Sequence, residues 1–155
     1  MDRALWASWY DLADDRRDAY LKWAHETYIP TMIKRPGFLW GAHFKCEVPV
    51  GPPGGGRLRH TDDPAVPTGN AYILLFGAET AHAFADPPPR QMHAELTQDD
   101  QKMLASRSRE RVNIFTEEDR EDGKDAARRE KKAALSPCIQ LGSFGGGTAD
   151  EDDLM

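Results

Sequence analysis

The sequence predicts an α+β fold, a ferredoxin-like four-stranded antiparallel sheet with helices on one face. Three observations lead there. Apolar residues alternate with a period of two at Arg3 to Leu12, Phe38 to Val48 and Asn70 to Ala78, and helical spacing separates the first two runs. The order along the chain is then strand, helix, strand, strand, helical region, strand. With 155 residues there is room for one core. Residues 1–144 therefore form a single domain with a long loop at 49–69, and 145–155 form a Gly-rich acidic C-terminal tail.

In the first strand, Leu5, Ala7 and Trp9 alternate with Trp6, Ser8 and Tyr10, so both faces ask for cover. From Asp14 the pattern turns helical. Asp14 or Asp15 serves as N-cap, and Tyr20, Trp23, Ala24 and Thr27 share one face. Pro30 kinks or restarts this helix, and Pro36-Gly37 ends the segment. In the second strand Phe38, Trp40, Ala42, Phe44 and Cys46 lie on one face; Leu39, Gly41, His43, Lys45 and Glu47 lie on the other. Pro49 to Gly69, with five prolines and five glycines, is a loop. Asn70 to Ala78 is apolar on both faces and reads as a central strand. Glu79 to Asp86 is a short helix, and Gln91 to about Glu118 is mostly helical, with Arg111 to Thr116 as a short extended piece. Asp125 to Leu135 is a charged helix and Cys138 to Phe144 the last strand.

Composition excludes several functions. No apolar run approaches the roughly 18 residues of a membrane span, and Met1-Asp2-Arg3 does not open a signal peptide, so a cytoplasmic location is expected. The net charge of −6 argues against nucleic acid as partner, and the basic stretches at Arg107 to Arg111 and Arg128 to Lys132 read as solvated helix faces. Cys46 and Cys138 are expected to be free thiols. All four Trp and three of four Tyr lie within the first forty residues, while only 39% of the chain is hydrophobic. A sheet without a polar face needs a partner, and a two-fold homodimer meets that need.

Trp23-Ala-His-Glu-Thr-Tyr28-Ile-Pro30, five residues and then Pro36-Gly37-Phe38 resembles the dimeric α+β barrel superfamily, nearest to its EthD-like members. Those proteins place a His in a His-x-Pro unit five positions after the Trp; here Tyr28 stands at that position. The resemblance implies a dimeric barrel enclosing an apolar pocket for a small organic molecule, with neither metal nor cofactor. Family members include isomerases, lyases, cyclases and cofactor-independent oxygenases.

Catalytic candidates are Tyr28, as a proton donor in such a pocket; His43, held on a strand; and His25, which could serve as a base but should be exposed. Trp6, Tyr10, Trp40 and Tyr72 are candidate walls of a substrate-binding pocket, or core. Asp11 can orient a His or Tyr, or belong to a turn. The pairs His93 with Glu95 and His60 with Asp62 lack a third metal ligand, and Gly54-Gly55-Gly56-Arg57 lacks the strand and helix of a phosphate loop. The expected activity is cofactor-free acid/base chemistry on a small, partly aromatic or apolar compound, of isomerase, lyase or cyclase type. A non-catalytic small-molecule binding or accessory protein is the alternative, with a cofactor-independent oxygenase beside it.

Overall fold

The structure, a computed structural model, describes residues 2–47, 63–121 and 139. Four strands, β1 (Ala4–Leu12), β2 (Phe38–Lys45), β3 (Tyr72–Ala78) and β4 (Arg107–Thr116), form one antiparallel sheet in the order β2-β3-β1-β4. Helices α1 (Asp14–Trp23) and α2 (Ile29–Met32), then α3 (Pro89–Ala94) and α4 (Gln98–Leu104), complete the ferredoxin-like α+β order expected. All seven residues of β3 are buried, as its doubly apolar pattern requires of a central strand. No helix among the described residues is long and apolar enough to cross a membrane.

Between α1 and α2 the chain makes one π-helical turn, Ala24–Tyr28. Proline 30 has no N–H to give the carbonyl four residues back, and the wider turn absorbs the gap: the Ile29 N–H reaches the Ala24 carbonyl, five residues back. The extra residue per turn lines up Tyr20, Ala24, Tyr28 and Met32 as the buried row. Thr27, expected on that face, is exposed instead. Ala13 occupies the N-cap of α1 without a side-chain bond, so Asp14 and Asp15 sit in the first turn, where they meet the helix dipole, rather than at the cap.

Each edge strand carries a bulge, and the two bulges decide what faces the helices. In β2 the register slips between Phe38 and Trp40, so Phe38 turns to the helix side and Trp40 to the open side. The expected common face of Phe38 and Trp40 is thereby corrected. Gly41 then lies under α2, where a Cβ would come within 2.8 Å of Ile29 Cγ2 and 2.9 Å of Phe76 Cε1. Gly37 takes φ +82° in the turn that opens this strand, a conformation suited to glycine.

In β4 the register slips opposite Trp9 and Asp11, and Arg109 adopts φ 52° at the extra residue. In an unbroken strand residues 107 and 110 would point to opposite faces. The bulge puts both on the helix side, where Arg107 is buried and bonded to Glu110. This strand replaces two expectations. The helical region ends at Leu104, because Val112 and Ile114 alternate with Arg111, Asn113 and Phe115; and Arg107 to Arg111 is an edge strand, not a solvated helix face. The fourth strand expected at Cys138 to Phe144 lies, apart from residue 139, outside the described residues, as do the Asp125 to Leu135 helix, the Gly54 to Arg57 run, most of the 49–69 loop and the acidic tail.

The core between sheet and helices is aromatic. Trp6, Tyr10, Tyr20, Tyr28, Phe76 and Phe84 are each no more than 1% exposed, and each such side chain contributes roughly 1.5–3 kcal/mol by leaving water. Trp6 meets Phe38, Phe76 and Phe84 at ring separations of 5.4–6.4 Å. Trp23 stacks on Tyr28 at 5.0 Å and donates its indole N–H to Asp100 Oδ1 at 2.7 Å, tying α1 to the first turn of α4, which Thr97 caps. The opposite sheet face carries a second apolar cluster of Ala7, Ile73 and Leu75, flanked by Trp9, Trp40 and Phe44.

Candidate functional site

A line of hydrogen bonds crosses the layer between sheet and helices. Arg107 enters from the β4 bulge and donates through Nε to the Tyr20 hydroxyl at 2.6 Å. Tyr20, on α1, donates to the Tyr10 hydroxyl on β1 at 3.2 Å. Tyr10 lies 2.7 Å from His43 Nε2 on β2, and His43 Nδ1 lies 3.0 Å from Nε2 of His25 in the π turn. Two histidines eighteen residues apart in the sequence are thus in contact. Tyr10 and Tyr20 are fully buried, His43 is half-buried and His25 is exposed, so the line runs from core to solvent.

Arg107 is the centre of this arrangement. Its side chain is 1% exposed, yet it keeps its charge, because guanidinium does not deprotonate in proteins. The guanidinium carbon lies 4.6 Å from the Tyr10 ring centre, 5.4 Å from that of Tyr28 and 5.7 Å from that of Tyr20, close enough for attraction to each π face. Nη1 donates to Glu110 Oε1 at 2.7 Å, and Nη2 has no hydrogen-bond partner among the described residues.

A second tyrosine–histidine pair lies on the other side of the arginine. The Tyr28 hydroxyl is 2.7 Å from Nε2 of His93 on α3, whose ring is tilted against Trp6 at 5.5 Å. Burial pushes the Tyr10, Tyr20 and Tyr28 hydroxyls above the ordinary tyrosine range, so all three are protonated at neutral pH. Burial also holds both bonded histidines neutral. His43 is lowered to about 4, with His25 and Arg107 adding to the effect, and His93 to about 4, with help from Arg107 and Arg35.

Each pair opens on a groove. His43 and His25 lie in a groove of about 500 Å³ between α1 and β2, with Arg17, Leu21, Phe44, Lys45 and Tyr72. His93 lies in one of about 560 Å³ between α3 and β4, with Pro88, Pro89, Arg90, Glu110, Val112 and Ile114. A neutral imidazole backed by a buried hydroxyl can donate or accept a proton without first changing charge, which suits acid/base work.

The structure brings together four of the seven expected site residues. His43 and His25 bond one another, Tyr10 bonds His43, and Tyr72 stacks on Tyr10 at 6.0 Å and lines the same groove. Tyr28 points to His93 instead. Trp6 is core, and Trp40 lies on the open sheet face with its indole N–H on Asp2 Oδ2 at 3.2 Å, because regular alternation from Trp40 to His43 puts the two on opposite faces. Among the described residues Asp11 orients no ring: its carboxylate accepts the backbone N–H groups of Asn70 and Ala71 and pairs with Arg109 at 2.5 Å, fixing the start of β3. His93 does not pair with Glu95, which bonds Arg35. Among the described residues no group of three or more His, Cys, Asp or Glu side chains could hold a metal ion.

Sequence reasoning missed Arg107, Tyr20, Glu110 and the role of His93. The available signal was the pair Arg107 and Glu110, three apart, but only a bulge brings them to one face. No family model matches the sequence, and no curated protein matches it.

Proposed function

We propose that the protein is a cofactor-free acid/base enzyme for small, partly apolar carbonyl compounds, working in the groove between α1 and β2. The observation that carries this reading is His43, bonded on both ring nitrogens, held neutral, and joined through two buried tyrosines to a buried arginine. In this reading the exposed His25 removes a proton from carbon next to the substrate carbonyl. His43 hydrogen-bonds the oxygen on which charge develops, and Tyr10 holds the His43 ring in place. Isomerisation and elimination both begin with that step.

Proton exchange offers an assay that needs no known product. Carbonyl compounds incubated with the protein in D2O are expected to gain deuterium at the adjacent carbon, and His25→Ala is expected to slow this by roughly 10²–10⁴-fold. If exchange instead survives His25→Ala and His43→Ala and is lost in Tyr28→Phe and His93→Ala, the chemistry belongs to the groove between α3 and β4. Binding with no exchange in any variant favours the accessory-protein reading.

The EthD-like resemblance and the homodimer belong to the same proposal. The sheet order and the Pro36-Gly37-Phe38 turn opening β2 support the first. The second is supported by the open face, where Phe115 is 42% exposed beside Trp9 and the apolar cluster described above. Light scattering at micromolar concentration is expected to return twice the 17.4 kDa chain mass; a monomer mass contradicts the dimer. We place the enzyme in the cytoplasm.

A further inference from the structure

The direction of the hydrogen bonds through the core constrains what the α1–β2 groove can hold. Arginine only donates, so the Tyr20 oxygen accepts from Arg107 Nε, and its single proton goes to Tyr10. The Tyr10 oxygen accepts that proton and has one of its own to place, for which His43 Nε2, at 2.7 Å, is the acceptor. Nε2 of His43 therefore carries no hydrogen. The ring proton of this neutral histidine is on Nδ1, the nitrogen that faces His25. A fixed positive charge in the core thus makes the groove wall a hydrogen-bond donor.

The rest of the lining agrees. Its remaining charged residues, Arg17 and Lys45, are cationic, and among the described residues no carboxylate lines the groove, in a chain whose net charge is −6. Arg17 does contact Asp14 at 2.9 Å and Asp18 at 3.4 Å, but those carboxylates are 93% and 91% exposed and well hydrated, so they offset it weakly. Leu21 and Tyr72 supply apolar surface between the donors.

We infer that this groove binds small organic carboxylates, the carboxylate being the carbonyl group of the proposed reaction, with one of its oxygens taking the single Nδ1–H of His43 in place of His25, and Arg17 and Lys45 facing the charge. Displaced from that bond, Nε2 of His25 is free to accept a proton. The inference names the substrate class of the proposed active site and rests on that reading for the location of the chemistry, while the binding itself can be tested without turnover.

The test compares four probes by NMR of the His25 and His43 ring signals: benzoate, benzamide, benzylamine and inorganic phosphate. Benzoate is expected to shift both rings saturably, and more tightly than the other three by about tenfold or more. Lys45→Gln and Arg17→Gln, both at exposed ends of side chains, are expected each to weaken benzoate severalfold while leaving the fold intact. Long-range ring correlations are expected to show His43 with its proton on Nδ1. Benzylamine or benzamide binding as well as benzoate, phosphate displacing benzoate at equal concentration, or a proton on Nε2 would each overturn the inference. Benzoate binding with no deuterium exchange upholds the carboxylate site while removing the proposed activity. Exchange that depends on His25, without benzoate binding, does the reverse.

Discussion

Replacing Glu110 by alanine is expected to lower the unfolding free energy by about 3–5 kcal/mol, more than any other single change to the polar line. Among the described residues Glu110 is the one anion bonded to Arg107, and the Arg107 side chain is 1% exposed, so Glu110→Ala strands a charge in the core. Arg107→Met leaves a different deficit. The carboxylate of Glu110 is 31% exposed and regains water, Tyr20 keeps its bond to Tyr10, and the apolar replacement fills similar space. That variant is expected to lose only about 1–3 kcal/mol. The double variant Arg107→Met/Glu110→Ala is therefore expected to be more stable than Glu110→Ala alone. Urea unfolding of the three variants checks this; a double variant less stable than either single would mean that Arg107 is not held by Glu110.

Acid is expected to destabilise the protein well before its carboxylates titrate. His43 and His93 both have folded values of about 4, against an ordinary histidine near 6.5. Between those limits the unfolded chain binds protons that the folded chain refuses, so stability is complete above pH 6.5 and falls as the pH drops toward 4, where the loss levels off. At pH 5 linkage allows about 2 kcal/mol per ring, and solvent screening of two half-buried rings reduces this to roughly 1 kcal/mol each. Glutamine at both positions can still accept from tyrosine but does not titrate. Unfolding midpoints compared between pH 7.5 and pH 5 are expected to fall in the parent protein and to stay nearly level in His43→Gln/His93→Gln. Equal slopes would place the acid sensitivity elsewhere.

The extent to which the fold is legible in the sequence follows from where the chain obeys a simple period. Strands β1 and β3, and the helix that starts after Ala13, keep theirs, and the order of elements follows from them. At β4 the Ser-Arg-Glu-Arg composition of residues 108–111 masks an edge strand, since edge positions need little apolar surface and charge there discourages unwanted pairing. The site was legible in part. His43, Tyr10 and Tyr72 could be placed because they keep the alternation of their strands. Arg107 could not, because a single residue in the left-handed conformation, Arg109, reverses the face of everything before it. Tyr28 was singled out by a motif position, but the π turn and α3 together decide that its partner is His93.

The claim on which the rest depends is that burial holds the His43 ring neutral, while a buried arginine, acting through Tyr20 and Tyr10, leaves its Nε2 bare. Site-resolved NMR titration of the His43 ring measures this directly. A midpoint near 4 with Nε2 unprotonated throughout the neutral range is the predicted result; a midpoint near 6.5, or a proton on Nε2 at neutral pH, would contradict it.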